Sequence, residues 1–179
     1  MKLDSLGIEG LYLIQPEVFY DERGYFRRNY CQDELMKIGI TFHVFQGNIS
    51  ENNVKHTLRG FHFQKRPGTE NKVITPITGS IFNVVIDLRP ESPTFLKNEV
   101  LTLDSAKRES LLVPSGCANC FLTIEDRTII QYYMGDRFKP DAYSGFRYDD
   151  PFFKIKWPFI PKVVSKKDLS FPDFDPALL

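Results

Sequence analysis

The sequence has few cysteines, few histidines and no net charge. Among 179 residues there are three cysteines and three histidines, and the 23 basic residues equal the 23 acidic ones. A balanced charge argues against a nucleic-acid groove or an anionic membrane as the partner, because both require a surplus of positive charge. Three cysteines cannot all pair within one chain, which fits thiols in a reducing compartment.

Long apolar segments are missing as well. No run approaches the ~18 residues of a membrane span, and the N-terminus lacks the apolar core of a signal peptide. We therefore expect a cytoplasmic protein without membrane contact. At ~150 residues per domain, residues 1–179 are expected to form a single domain. With 42% hydrophobic residues the chain is too apolar for disorder.

Aromatic residues are plentiful, at 14% of the chain with 16 Phe and 8 Tyr. Such side chains pack well on the pleated surface of strands, so the composition favours an all-β fold. Short apolar stretches alternate with turn signals, as is typical of a jelly roll or small barrel. The predicted strands are 11–14, 25–30, 41–49, 57–64, 72–77, 80–88, 95–103, 110–113, 118–124 and 128–134.

Other local signals concern a turn, a helix and the tail. Gly79 lies between two predicted strands and predicts a hairpin. Residues 33–38, closed by Gly39, predict the one helix, with Asp33 as its N-cap. The proline-rich tail, 156–179, is expected to pack over the barrel as short turns.

His62 is the histidine with the most informative context. Alternation along residues 57–64 places His62 and Gln64 on one face of a strand and Arg59 on the other. A metal site on a strand needs a second ligand two residues away, and because that position holds Gln64 we predict no metal. Taken alone, a hydrogen-bonded structural histidine is an equal alternative. Cys117 and Cys120 lack nearby ligands and are interpreted as small apolar residues.

Metal-free proton transfer is the remaining chemistry for such a strand. Abstracting a proton beside a carbonyl needs a base near neutral pKa, a donor on the opposite side, and a cation at the enolate oxygen. His62 suits the first role, Tyr132 or Tyr133 the second, and Lys72 the third. The residues permit this assignment without demanding it.

Seven short motifs occur together along the chain. They are Asp21-Glu22-Arg23-Gly24-Tyr25-Phe26, Leu58-Arg59-Gly60-Phe61-His62-Phe63-Gln64, Asp87-Leu88-Arg89 with Ser92-Pro93-Thr94-Phe95, Val113-Pro114-x-Gly116, Asp149-Asp150-Pro151, Ile155-x-Trp157-Pro158, and Ser165-x-x-Asp168. With this set the chain resembles the dTDP-4-dehydrorhamnose 3,5-epimerase family over essentially its whole length.

The resemblance implies a fold and an activity. The fold is an all-β, double-stranded β-helix jelly roll of the cupin type with short peripheral helices, assembled as a homodimer. The activity is inversion of C3 and/or C5 in a nucleotide-linked 4-keto-6-deoxy sugar, with no metal and no cofactor.

Catalytic roles follow from motif positions. His62 matches the family's base, Asp168 its partner carboxylate, and Lys72 the lysine that stabilises the enolate oxygen at C4. Tyr132 matches the tyrosine that returns the proton from the opposite face. Tyr133 is assigned a structural role, because adjacent strand residues face opposite ways.

Substrate contacts are carried over from the family in the same way. Arg23, Arg59 and Lys72 are expected to form one concentrated cationic pocket. The matched positions are Arg59, Gln46 and Asn48 for the diphosphate, Arg23 reaching across from the partner subunit, and Phe26 and Phe138 near the sugar or base.

Three positions depart from the family pattern. Asn119 stands where a histidine near the phosphates is usual. Arg28 stands where a glutamate often accepts a hydrogen bond from thymine; because arginine only donates, we hypothesise a guanine or cytosine nucleotide instead. Asn83 replaces a common aspartate, and if it neighbours Lys72 the lysine loses a counter-charge.

Alternative functions remain open at this point. A single-site C3 or C5 epimerase acting on a GDP- or CDP-linked 4-keto sugar needs the same residues. A 4-keto to 3-keto isomerase departs from the Leu-Arg-Gly-x-His-x-Gln pattern. A non-catalytic sugar-nucleotide-binding cupin is the third alternative, although such a module does not need a base, a carboxylate, a lysine and a tyrosine at these positions together.

Overall fold

The structure is a computed structural model that describes residues 1–65 and 70–176. Its strands are β1 (Lys2–Ser5), β2 (Tyr12–Gln15), β3 (Val18–Asp21), β4 (Gly24–Arg27), β5 (Gln46–Asn52), β6 (Thr57–Gln64), β7 (Lys72–Thr78), β8 (Ser80–Asp87), β9 (Asn98–Asp104), β10 (Ser110–Val113), β11 (Cys117–Thr123), β12 (Thr128–Met134), β13 (Tyr143–Gly145) and β14 (Val163–Val164). The helices are α1 (Gln32–Lys37), a 3-10 turn (Ser105–Lys107) and α2 (Lys166–Leu169).

Two antiparallel sheets form the body of the fold. The first sheet has the order β1-β2-β10-β7-β12-β5, and the second has the order β13-β6-β11-β8-β9 with β14 added in parallel to β6. Strands β3 and β4 form a separate two-stranded hairpin. Two facing sheets whose consecutive strands cross between them are a jelly roll, so the predicted all-β architecture is confirmed.

The main core lies between the two sheets. Apolar side chains from both sheets, among them Ile74, Ile130, Val85 and Leu103, are fully buried there. A second core on the outer face of the second sheet contains Phe61 and is covered by the C-terminal segment, and a third packs α1 onto the first sheet. Among the described residues no helix has the length and apolarity to cross a membrane.

The hairpin predicted at Gly79 is wrong. Strand β7 pairs with β10 and β12, whereas β8 pairs with β9 and β11, so Gly79 carries the chain from one sheet to the other. Its φ is +72°, and a Cβ there would lie 2.5 Å from Thr128 Oγ1. The sequence signal was a true turn signal, but a turn does not specify which strands pair across it.

The helical predictions need two corrections. Helix α1 has Cys31 at its N-cap without a side-chain cap, and Asp33 lies inside its first turn. Acidic residues are favourable in the first turn as well as at the cap, because both positions lie near the positive end of the helix dipole, so the sequence signal was ambiguous. The tail predicted as turns also contains β14 and α2.

Candidate active site

A cavity of about 270 Å³ opens between the two sheets. The first sheet contributes to it through β5, β7 and β12, and the second through β6, β11 and β13. The sequence-predicted site residues on its wall are Asn48, Arg59, His62, Lys72, Asn119, Tyr132 and Phe138. The other lining residues are Ile49, Ser50, Phe63, Glu70, Phe121, Met134 and Tyr143.

A bulge in β6 places Arg59 and His62 on the same wall. In the pairing of β6 with β11, His62 lies opposite Asn119 and Arg59 lies opposite Phe121. Three residues along β6 therefore match two along β11, so β6 contains one extra residue. The strict alternation expected for β6 is therefore wrong, because an extra residue in one strand shifts all later side chains to the other face. Gly60 sits in the bulge with φ +122°, where a Cβ would lie 2.6 Å from the carbonyl oxygen of Asn119.

His62 is paired with Asp168. The distance between His62 Nε2 and Asp168 Oδ1 is 2.8 Å, and the backbone N–H of Gly60 donates to Asp168 Oδ2 at 3.3 Å. Burial would raise the pKa of Asp168, but hydrogen bonding and charge from His62 outweigh it and the pKa is lowered. An ionised Asp168 accepts the Nε2 proton, which leaves Nδ1 as the nitrogen that can accept another.

Local structure in the tail aims Asp168 at His62. Strand β14 pairs in parallel with β6, with Val164 opposite Leu58, so the following helix starts beside β6. Ser165 is the N-cap of α2, and its hydroxyl accepts a hydrogen bond of 3.0 Å from the backbone N–H of Asp168. The Ser165-x-x-Asp168 motif is thus a helix cap that fixes the orientation of the carboxylate.

Lys72 has a partner that the sequence did not indicate. Its Nζ lies 2.7 Å from Glu70 Oε1, and both side chains are about nine-tenths buried. Asn83 is instead hydrogen-bonded to Asn119 through both amides, at 3.1 and 3.2 Å. The counter-charge of Lys72 therefore comes from Glu70, and the expected concentration of positive charge is partly neutralised in this chain.

Tyr132 faces the cavity and Tyr133 faces away, as predicted. The Tyr132 hydroxyl is 3.2 Å from Ser50 Oγ, and burial raises the pKa of Tyr132 to about 12. Tyr133 packs in the core beneath α1, where its hydroxyl accepts a hydrogen bond from Gln131. Tyr132 therefore carries its proton throughout the neutral range.

The predicted diphosphate residues take different places. Arg59 lines the cavity, where its Nε donates to Asn52 Oδ1 at 2.8 Å, and Asn48 lies nearby on β5. Gln46 does not line the cavity; its Oε1 accepts the backbone N–H of Phe138 at 3.0 Å. Gln46 thereby fixes the segment that carries Phe138, whose own ring is half exposed on the cavity wall.

Arg23, Phe26 and Arg28 lie outside the cavity of their own chain. Arg23 and Phe26 are on the β3–β4 hairpin, where the Arg23 side chain is 84% exposed and forms an ion pair with Asp21 of the same hairpin. Arg28 forms an ion pair of 2.8 Å with Glu34 of α1. The structure therefore does not bring these three residues to the other predicted site residues within one chain.

Sequence reasoning missed Glu70 and Tyr143. Glu70 lies two residues before Lys72, a spacing that puts both on one face of an extended chain. Tyr143 lines the cavity because β13 pairs with β6, and Lys167 Nζ lies 3.9 Å from the centre of its ring. Burial raises the pKa of Tyr143 above the usual value for tyrosine. Pairing between distant segments has no local sequence signal.

Cys117 and Cys120 are buried, which fits their interpretation as small apolar residues. Cys117 and Cys120 lie in different cores, and burial raises the pKa of both thiols, to about 12 for Cys117. Within residues 1–65 and 70–176, no group of three or more His, Cys, Asp and Glu side chains is arranged to hold a metal ion.

Comparison with known proteins gives consistent matches. The family model described as dTDP-4-dehydrorhamnose 3,5-epimerase matches residues 5–176. A dTDP-4-dehydrorhamnose 3,5-epimerase of Methanothermobacter thermautotrophicus is 34% identical over 164 residues, covering 90% of this chain and 88% of its own. A dTDP-4-dehydrorhamnose 3-epimerase of Streptomyces niveus is 34% identical over 169 residues, covering 94% of this chain and 81% of its own.

A solved structure agrees with the same family. The crystal structure of dTDP-4-dehydrorhamnose 3,5-epimerase from Bacillus anthracis, with TDP and PPi bound, has a TM-score of 0.93 and 34% sequence identity. The match covers 97% of this chain and 99% of that chain. The similarity therefore extends over nearly the whole of both chains.

Proposed function

The chain belongs to the dTDP-4-dehydrorhamnose 3,5-epimerase family and is an isomerase of the epimerase class, and we propose that the pair His62–Asp168 is its catalytic base. Its ligand is a nucleotide-linked keto-sugar. The observation that carries the proposal is the position of His62, which is hydrogen-bonded to Asp168 and lies on a cavity wall that faces Lys72 and Tyr132. The proposal invokes no metal and no cofactor, and it places the protein in the cytoplasm.

The first step is removal of a proton beside the C4 ketone. Nδ1 of His62 takes the proton from C3 or C5, and the electrons of the broken C–H bond form an enolate whose oxygen is at C4. The Lys72 ammonium stabilises that oxygen, because a charged hydrogen-bond donor in a partly buried site interacts most strongly with an atom on which negative charge develops. Asp168 stabilises the imidazolium that results.

The second step returns a proton to the other face. His62 projects from the second sheet, whereas Tyr132 projects from the first, so the two groups approach a bound sugar from different walls. The Tyr132 hydroxyl donates to the enolate carbon, and inversion results because removal and return occur on different faces. Both residues then recover their original protonation by exchange with solvent.

Incubation in D2O with dTDP-, GDP- and CDP-linked 4-keto-6-deoxy sugars tests this function. We expect deuterium at C3 and C5 of the dTDP-linked sugar, measured by NMR. Deuterium at one carbon alone indicates a single-site enzyme, a reading that the similarity to a 3-epimerase supports. A preference for GDP or CDP would support the hypothesis drawn from Arg28.

The variant His62→Asn supplies the matched control. Loss of one general base typically costs ~10²–10⁴-fold in rate. Near-normal deuterium incorporation by His62→Asn would refute the assignment of the base. No incorporation by the natural protein on any of the sugars would leave a binding module as the function.

We also propose that the protein acts as a homodimer in which the β3–β4 hairpin completes the partner's cavity. The hairpin exposes four aromatic rings, with Tyr20 and Phe26 each 66% exposed. An exposed apolar surface of this kind is typical of a protein interface. Arg23 lies on the same hairpin, and from there its guanidinium would reach the diphosphate in the neighbouring subunit.

A further inference from the structure

Glu70 contacts both sheets at the cavity wall. Its Oε1 lies 2.7 Å from Lys72 Nζ, at the start of β7 in the first sheet. Its Oε2 accepts a hydrogen bond of 2.5 Å from Gln64 Nε2, at the end of β6 in the second sheet. One carboxylate thus links the strand that carries His62 to the strand that begins with Lys72.

The backbone beside Glu70 is anchored to the strand that carries Tyr132. The carbonyl oxygen of Asn71 accepts a hydrogen bond of 2.8 Å from the backbone N–H of Gly135, directly after β12. A Cβ on Gly135 would lie 1.6 Å from Asn71 Oδ1, so the absence of a side chain there allows this close contact. The position of Glu70 is therefore set relative to the proposed proton donor as well.

The other charged or titratable groups around Lys72 do not provide a negative partner. The cavity wall also carries Arg59, His62, Tyr132 and Tyr143, of which the first is cationic and the tyrosines keep their protons. Among the described residues on this wall, Glu70 is the one carboxylate. A lysine ammonium on a flexible four-carbon stem needs such a partner to hold one orientation.

We propose that Glu70 is a positioning residue, which holds the Lys72 ammonium in the orientation that meets the enolate oxygen. The inference rests on the proposed epimerase function and adds to it a residue whose effect passes through Lys72. Glu70 does not itself exchange a proton with the sugar, because both of its oxygens are engaged by Lys72 and Gln64.

The variant Glu70→Gln removes the charge while nearly preserving the shape. We expect kcat for deuterium exchange to fall about 10- to 100-fold, since misplacing a catalytic group by about 1 Å costs up to ~10²-fold. KM should change much less, because the interaction is made with the transition state.

A double-mutant cycle shows whether the effect passes through Lys72. In a Lys72→Met background, Glu70→Gln should cause no further loss, whereas independent effects would multiply. Glu70→Asp should retain part of the activity, and it replaces Glu70→Gln in the cycle if circular dichroism shows that the glutamine variant does not fold. Glu109 directly precedes Ser110, which is the end of β10 that lies away from Lys72. Glu109→Gln is therefore the control and should behave like the natural protein.

The outcomes separate the two proposals. Wild-type kinetics for Glu70→Gln, or effects that multiply with those of Lys72→Met, would overturn the role of Glu70 and leave the epimerase function intact. If the natural protein exchanges no deuterium into any nucleotide-linked keto-sugar, the proposed function and the role of Glu70 fall together.

Discussion

At the level of single residues, one carboxylate selects which nitrogen of His62 can accept a proton. Asp168 Oδ1 accepts the proton of His62 Nε2 in a hydrogen bond with an N···O distance of 2.8 Å, so Nδ1 presents its lone pair. Because the pKa of Asp168 is below that of an ordinary aspartate, its carboxylate remains ionised and able to accept the Nε2 proton into the acid range.

The neighbours Tyr132 and Tyr133 offer a matched pair of variants. Tyr132→Phe should lower inversion by ~10²–10⁴-fold, the usual contribution of one positioned acid. Deuterium exchange with retention should persist in that variant, because His62 can still remove a proton and return it on the same face. Tyr133→Phe, whose hydroxyl faces the core beneath α1, should invert at the normal rate. Equal losses of exchange and inversion in Tyr132→Phe would contradict the assignment, and NMR of the product measures both.

At the level of elements, the four-residue helix α2 is held in place by the strand before it and by its N-cap. Strand β14 fixes its place beside β6, and the Ser165 hydroxyl caps its first turn. A segment this short has little intrinsic helical stability, so its orientation depends on these contacts. The carboxylate of Asp168, a member of the proposed base pair, is thus positioned by a local cap and one parallel strand pair.

Removing the cap should therefore affect activity and stability together. Ser165→Ala should lower the free energy of unfolding by about 1 kcal/mol, the usual cost of losing an N-cap side chain. We expect kcat to fall as well, because Asp168 is held less firmly against His62. Ser165→Thr keeps an acceptor and should restore both. Ser170→Ala, at the other end of α2, is the control, and equal kcat losses for Ser165→Ala and Ser170→Ala would count against the cap.

At the level of the whole molecule, the proposed site draws on two subunits. In random mixtures of Arg23→Ala and His62→Asn chains, half of the dimers pair one variant with the other, and one of their two cavities has both residues intact. Co-expression should then give about a quarter of the wild-type activity, although each variant alone is nearly inactive. Activity no greater than that of the separate variants would mean that Arg23 does not act across the interface.

The acid stability of the molecule should depend on Asp87, at the end of β8. Burial would raise the pKa of Asp87, but hydrogen bonds from Arg89, Ser92 and Thr94 outweigh it and lower the pKa to about 2. A carboxyl group whose pKa is lowered by folding contributes its full stabilisation at pH values above its pKa in the unfolded chain. It loses that contribution as the pH falls towards its pKa in the folded protein. The motif that contains these residues is thus structural.

Urea unfolding at fixed protein concentration between pH 2 and 7 tests this role. The natural protein should lose about 2 kcal/mol of unfolding free energy from this group as pH falls from about 4 to about 2, at ~1.4 kcal/mol per pKa unit. Asp87→Asn should be less stable at pH 7 and should lose less on acidification. Asp141→Asn, on an exposed loop, should follow the natural protein. An unchanged acid slope in Asp87→Asn would contradict the prediction.

The sequence by itself determined the class of fold and much of the chemistry. Alternating apolar residues between turn signals are local properties, and they located β6, β10 and β12 at their observed bounds. The opposite facing of Tyr132 and Tyr133 follows from the pleat of one strand and needs no partner. The motifs around His62 and Asp168 indicated the family, because residue identity and spacing are written directly in the chain.

Tertiary structure alone decided which of these parts meet. The passage of the chain between sheets at Gly79 and the bulge at Gly60 depend on strands far away in sequence, and the bulge is what turns Arg59 and His62 to the same wall. The partner of Asn83 was set in the same way, because pairing of β8 with β11 brings Asn119 close to it. Local patterns record how a segment can fold, whereas contacts between segments arise only when the sheets close around a shared core.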